Sequence, residues 1–466
     1  MKNVILLLVF VFPLLQAQVT YGFITPAATD WKAGVARVNI TPKQPMWMAG
    51  YGVRTKPSEG TRLELWAKAL VIEDANGQKA VLVTIDLLGL PKDVSDNIRK
   101  QLQARYGLAK AQVLLNSSHT HSAPVVGNAL SDVYPMNAAE WKKVPEYTRK
   151  LEEQLVGLVG TALKAMEPVQ LYAQNGVTRF QVNRRNNREA ALLQQTELNG
   201  PNDYAVPVFK VVNTKGKLKA IAFGYACHPT VLNDYKWSGD YPGYAQAELE
   251  KFHPGVTAMF FQSAGADQNP LPRGTESLAR QYGRELAAAV NRVLEEDMRV
   301  LSANIKTAYT EVDLPLGNPP TEAALNQLIS ETNVDYYKRW ATRMLAEMKK
   351  GKPFRTQYPY PLQVWQLGDQ VMLALGGELV IEYAIRLKQI FGLNTFVLGY
   401  SNDVMSYIPS EKILQEGGYE GETSQRAYGL HTTWAPGLEE VILTGMTGLA
   451  RQIGVAPAAS NNVKTK

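Results

Sequence analysis

Along this chain, short apolar runs repeatedly end in a polar residue, after which a helix or loop begins. Lys79 to Asp86 closes on an acid, and Gln112 to Leu115 leads into Asn116-Ser117-Ser118-His119-Thr120-His121-Ser122-Ala123-Pro124. Leu218 to Ala226 runs into Cys227-His228-Pro229-Thr230, and Val256 to Gln262 opens into Ser263 through Pro270. Val371 to Leu375 precedes Gly376-Gly377-Glu378, and Thr395 to Gly399 precedes Tyr400 through Pro409. β-Prone runs bounded by turn formers read as strands, and strands interleaved with helical periodicities read as a layered α/β domain. The expected fold is therefore α/β: one large catalytic domain with mixed β-sheets flanked by helices and a site at the strand ends.

Hairpin signals at Asp74-Ala75-Asn76-Gly77, Thr214-Lys215-Gly216 and Gly368-Asp369 join neighbouring strands. Helices are expected from Asp93 to Tyr106, Val144 to Met166, Tyr241 to Phe252 with Asp240 as its cap, and Glu276 to Met298. Further helices are expected from Glu322 to Lys350, Leu379 to Ile390 and Gly437 to Ile453. No repeat, low-complexity linker or composition shift divides the chain, so residues 31–453 read as one unit.

The first residues speak to address. Met1-Lys2-Asn3 is followed by an apolar run from Val4 to Leu15 that is too short for a membrane span and reads as a signal peptide. Cleavage after Leu15-Gln16-Ala17 gives a signal of residues 1–17, a leader of 18–30 and, after the domain, a flexible tail of 454–466. The expected location is secreted or periplasmic, without stable membrane insertion after cleavage. A single cysteine, Cys227, excludes an internal disulfide, so stability must come from a sizeable core. The net charge of +6 is scattered among acids, which gives no reason to expect a nucleic-acid partner.

The chain has five histidines, and two of them are His119 and His121. On an extended segment they share one face about 7 Å apart, close enough to serve one metal, or for one to bind metal while the other meets a substrate. His228 is delivered before a proline in the same way. The glycine-containing turn from Ser263 to Pro270 offers backbone N–H groups to an oxyanion, or is simply a tight turn. The arginines from Arg184 to Arg188 serve solubility, or fix a substrate carbonyl or carboxylate. The Met46–Gly60 segment, rich in Gly, Pro, Trp and Tyr, has the character of a loop that lines a site.

Asn116 to Pro124, Cys227 to Thr230, Gly377-Glu378 and Ser401-Asn402 through Tyr407, with Trp66 to Leu70 and Ser238-Gly239-Asp240, occur in an order that resembles the neutral, non-lysosomal ceramidase family. The resemblance covers residues 31 to 453 and implies a zinc amidase that cleaves the N-acyl bond of ceramide. It implies Zn2+ held by His119, His228, Glu378 and Tyr407, with His121 facing the substrate as acid or base and Arg184 orienting it. Asp86 and Asp240 would orient the ligand histidines. The family's catalytic turn reads Gly-Asp-x-Ser-Pro, whereas this chain has Ala266-Asp267-Gln268-Asn269-Pro270. Asp267 and Asn269 thus occupy catalytic-turn positions, but an asparagine cannot act as a hydroxyl nucleophile, so attack is expected from metal-bound hydroxide. Nothing after the last helix corresponds to the family's carboxy-terminal immunoglobulin-like domain. The loops Met46–Tyr51 and Tyr400–Tyr428 suit sugar-facing as well as lipid-facing clefts. A carbohydrate-derived ester, lactone or N-acyl sugar is the alternative substrate, and a non-catalytic metal-containing binding protein is a third reading.

Overall fold

The computed structural model describes residues 30–351 and 353–458. The expected signal peptide, residues 1–17, lies outside them, as do most of the leader and tail. No helix among the described residues is long and apolar enough to cross a membrane.

The larger sheet follows the order Val113–Ser117, Lys79–Ile85, Trp66–Glu73, Trp31–Asn39, Glu167–Val177, Ala205–Asn213, Leu218–Tyr225, Thr257–Gln262, with Arg299–Val300 beside Glu167–Val177. Its pairs are antiparallel except at the two ends, where Lys79–Ile85 and Val113–Ser117, and Leu218–Tyr225 and Thr257–Gln262, run parallel. Parallel neighbours need a crossover. The helices Lys92–Tyr106 and Asp240–Phe252 supply these crossovers. The two edge strands then come together: Asn116 Oδ1 accepts from Gln262 N at 2.7 Å, and Asn116 Nδ2 donates to Gln262 O at 3.2 Å. The second sheet has the order Ile305–Pro315, Gln357–Leu367, Gln370–Leu375, Phe396–Leu398.

Apolar side chains of the two sheets meet in one core, where Leu70, Phe209 and Phe261 pack with Trp365, Met372 and Phe396. Helices cover the outer faces. Leu151 and Leu155 pack with Val71 and Val83, Leu249 and Leu286 with Phe223 and Phe260, and Leu387 and Ile442 with Val364 and Leu373. This is the layered α/β arrangement expected of strands with apolar faces on both sides.

Several boundaries differ from expectation. The helix predicted from Val144 starts at Ala138, because Asn137 accepts from Glu140 N while the Glu140 carboxylate accepts from Asn137 N. The helix predicted from Glu322 to Lys350 is two, Glu322–Glu331 and Asp335–Lys349. Thr332-Asn333-Val334 breaks it, and Thr332 Oγ1 accepts from Val334 N, a local bond that competes with the helix. Gln181–Asn183 and Gln268–Pro270, read as loops, pair antiparallel.

Asp403 is buried under the second sheet and accepts a hydrogen bond from Tyr358 Oη at 2.8 Å. Burial pushes its carboxyl up to about 7, against the hydrogen bond from Tyr358. The folded state thus holds a proton that the unfolded chain releases near pH 4. Asp403's contribution is present at low pH and is lost as pH rises through 7, at up to about 1.4 kcal/mol per pH unit. Denaturant unfolding from pH 4 to 8 should show this decline in wild type and a flatter profile in Asp403→Asn.

Candidate metal centre

His119 follows the strand Val113–Ser117 in a left-handed conformation, φ 65°, an unfavourable state for a non-glycine residue that its surroundings must enforce. They do so through two bonds. His119 N donates to Leu87 O at 2.9 Å, and Nδ1 lies 2.6 Å from Leu88 O. His228, just beyond Leu218–Tyr225, is held in the same manner: its N donates to Gln268 O at 2.9 Å and its Nδ1 lies 2.7 Å from Gly265 O. A carbonyl can only accept, so each ring carries its proton on Nδ1 and turns an Nε2 lone pair inward.

The carboxylate between them comes from the second half of the chain. Glu378 Oε2 lies 3.0 Å from His119 Nε2 and 3.1 Å from His228 Nε2. Glu378–Leu379 pairs parallel with Tyr407–Ile408, with Glu378 and Tyr407 as register partners. Tyr407 Oη is 3.4 Å from His228 Nε2, and Glu378 Oε1 accepts from Tyr428 Oη. His121 Nε2 stands 3.3 Å from His119 Nε2, and the nitrogens of His119, His121 and His228 fall within 4.8 Å of one another.

Burial pushes the His228 imidazole down to about 4 and takes His121 well below the usual range, with His119 and His228 adding to the effect on His121. Burial opposes ionisation of Glu378, yet His119 and His228 hold its carboxyl well below the ordinary value. The His121 and His228 rings are thus held neutral beside the Glu378 carboxylate. Glu378 Oε2 has no hydrogen-bond partner, although it is buried against two imidazole nitrogens. Lone pairs facing an anion without protons between them are satisfied by a cation. A set of two nitrogens, a carboxylate and a phenol oxygen suits zinc.

The other predicted residues surround this cluster. Arg184 donates through Nε to Glu420 at 2.8 Å, through Nη1 to Asn269 Oδ1 at 3.3 Å and through Nη2 to Tyr407 Oη at 3.2 Å. Asp267, expected in the catalytic turn, has both carboxylate oxygens engaged, accepting from Ile381 N at 2.9 Å and Asn183 Nδ2 at 2.9 Å. It acts as a brace beneath the site. In the turn Ser263–Pro270, Ala266 N donates to Leu379 O and Gln268 N to Gly265 O, and Gly265 O orients His228. Asp86 and Asp240 do not orient the histidine rings either. Asp86 accepts from Trp66 N, and Asp240 accepts from Val231 N, Leu232 N and Tyr241 N. Asp240 also does not precede its helix but opens it, at φ 53°.

A cavity of about 50 Å3 adjoins the cluster, lined in part by Gly50, Leu88, His121, Glu378, Tyr407 and Tyr428. His121 faces it, while the rings of His119 and His228 stay behind the wall. Gly50 belongs to the loop expected to line a site, and its φ of +109° and the His121 ring 2.5 Å from where a Cβ would stand exclude any side chain there. Tyr51 packs edge-on against His121 with ring centroids 4.8 Å apart. Sequence reading missed Glu420, Tyr428 and Tyr51 as individual residues. The only available signal was the Tyr- and Gly-rich composition of their loops.

The model of the family "Neutral/alkaline non-lysosomal ceramidase, N-terminal" matches residues 31–282. The neutral ceramidase of Pseudomonas aeruginosa is 22% identical over 94% of this chain and 75% of its own length. Neutral ceramidase B of Dictyostelium discoideum is 26% identical over 49% of this chain, a match that spans 33% of that protein. The crystal structure of the Pseudomonas aeruginosa neutral ceramidase superimposes with a TM-score of 0.65 at 20% identity, covering 86% of this chain and 73% of that one. With more than half of its length matched by the family model, and with the same fold, this chain belongs to the neutral/alkaline non-lysosomal ceramidase family.

Proposed function

We propose that this protein is an exported, zinc-dependent hydrolase that cleaves the N-acyl bond of a ceramide-like amide. The observation that carries the reading is the meeting of two Nε2 lone pairs and the Glu378 carboxylate beside a cavity that His121 faces. His119, His228 and Glu378 would hold the ion, with Tyr407 completing the set. When bound, zinc would polarise the scissile carbonyl and acidify water at neutral pH.

The chain's own residues do the rest. His121, kept neutral by burial, takes a proton from the attacking water on the open side of the centre and returns it to the leaving amine. Arg184, fixed by Glu420, directs Nη2 at the Tyr407 oxygen and favours negative charge there. Tyr428 holds the second oxygen of Glu378, which keeps Oε2 turned toward the histidines. A related reading keeps the same centre and gives it a smaller polar substrate, a lactone, sugar ester or N-acyl sugar. A cavity of about 50 Å3 favours it, since two lipid chains need far more room.

Purified protein assayed on a short-chain ceramide, an acyl ethanolamine, an acyl-homoserine lactone and an acetylated sugar separates these substrates. Amide cleavage should vanish on chelation and return with zinc; a zinc-replete protein that cleaves no amide in the panel would overturn the proposal. Asn269→Ser should change amide turnover less than about tenfold, equivalent to about 1.4 kcal/mol, because the attacking oxygen is not a side-chain hydroxyl. A larger gain would place a hydroxyl in the chemistry.

A further inference from the structure

A second, larger opening lies on the other side of Tyr419. It is a groove of about 610 Å3 whose walls include Arg184, Arg185, Arg188, Arg273 and Asn269, with Glu189 and Glu420 as its carboxylates. Four guanidiniums thus face two acids, and the acids are already engaged. Glu420 takes Arg184 Nε at 2.8 Å and Arg185 Nη1 at 2.8 Å, and Glu189 takes only Arg273 Nε, at 2.9 Å. Arg188 makes no ion pair among the described residues. Arg185 Nη2 is taken by Glu416 at 2.9 Å, and Arg184 spends its donors on Glu420, Asn269 and Tyr407, so among the described residues the guanidinium N–H groups left without an anion are those of Arg188 and the Nη groups of Arg273.

This groove adjoins the metal centre. Tyr419 lines both the groove and the metal cavity, and Arg184 lines the groove while bonding Tyr407 at the centre. The two openings also differ in character. The metal cavity has Leu88, Leu130 and Val133 in its wall, whereas the groove is cationic. A cleft of one sign concentrates ligands of the other, and guanidinium forks suit carboxylate and phosphate oxygens.

Building on the amide-hydrolase reading above, we propose that the groove binds an anionic group carried on the amine side of the substrate. The preferred substrates are then N-acyl amines that bear a carboxylate or phosphate, in preference to those that end in an uncharged hydroxyl. Arg188 and Arg273 are the specificity residues, and neither touches the metal centre.

The test uses sulfonamide analogues, which are not cleaved: N-octanesulfonylglycine, the O-phosphate of N-octanesulfonylethanolamine, and uncharged N-octanesulfonylethanolamine. Calorimetry should find at least one of the two anions bound about tenfold or more tighter than the neutral compound, and the tighter one identifies the group. The preference should shrink in 0.5 M salt. Arg188→Ala/Arg273→Ala should abolish it and leave neutral binding unchanged. Equal affinity for all three compounds in wild type, or a preference that survives the double substitution, would overturn the proposal. Turnover of N-octanoylethanolamine by the zinc-replete protein is measured alongside. Turnover without anion preference removes only the groove assignment, and anion preference without turnover removes only the hydrolase reading.

Discussion

On the zinc-amidase proposal, His119→Ala is expected to yield protein that binds no zinc and has amide turnover reduced by more than about 100-fold, beyond what is typical for loss of a residue that merely supports a ligand. The substitution removes one of the two Nε2 lone pairs that face Glu378 Oε2 and frees Leu88 O from its donor. His121→Ala is the informative contrast. Its ring forms part of the cavity wall and its Nδ1 has no partner, so the metal should stay while turnover falls by about 10²–10⁴, the usual contribution of a proton-transfer group. Zinc content by elemental analysis separates the two. Should His121→Ala also lose zinc, all three clustered imidazoles are ligands and the proton must be carried elsewhere.

Asp267→Ala should be the most destabilising single change near the site, by about 3–5 kcal/mol in chemical denaturation. Asp267 is fully buried, and its two oxygens receive Ile381 N, at the start of the helix after Glu378, and Asn183 Nδ2, beside Arg184. Alanine leaves Ile381 N buried without an acceptor and Asn183 Nδ2 with Pro201 O alone. Asp267→Asn is not a neutral control, because one of its two arms now presents N–H groups where a donor already stands. A loss below about 1 kcal/mol for alanine would show that the surrounding turns rearrange at little cost.

The strand ends were legible because each combines two independent signals, a β-prone apolar run and a residue such as proline or glycine that stops it. That was enough to place His119, His228 and Glu378 at comparable positions. What orients them was not legible. Leu88 O and Gly265 O fix the rings, and a backbone carbonyl leaves no mark in sequence because every residue has one. Asp86 and Asp240 were attractive as orienting acids through proximity in the chain alone, yet their oxygens close backbone turns. Glu420 and Tyr428 lie in a stretch of short helical turns with no apolar period, so composition could mark the region and not the residue. The missed start of the helix at Ala138 has a similar origin, since Asn137 and Glu140 cap it ahead of the apolar stripe.

Pairing of Glu378 with Tyr407 in a two-residue ladder has a consequence for assembly. The histidines belong to the larger sheet and are synthesised first, while the carboxylate and the phenol arrive only when the second sheet has docked and its last loops have closed. Before that step the three imidazoles have no anion to offset an ion's charge. Metal uptake should therefore come late, so that zinc content in a refolding experiment lags the recovery of helical signal and reports the closing of the seam between the sheets.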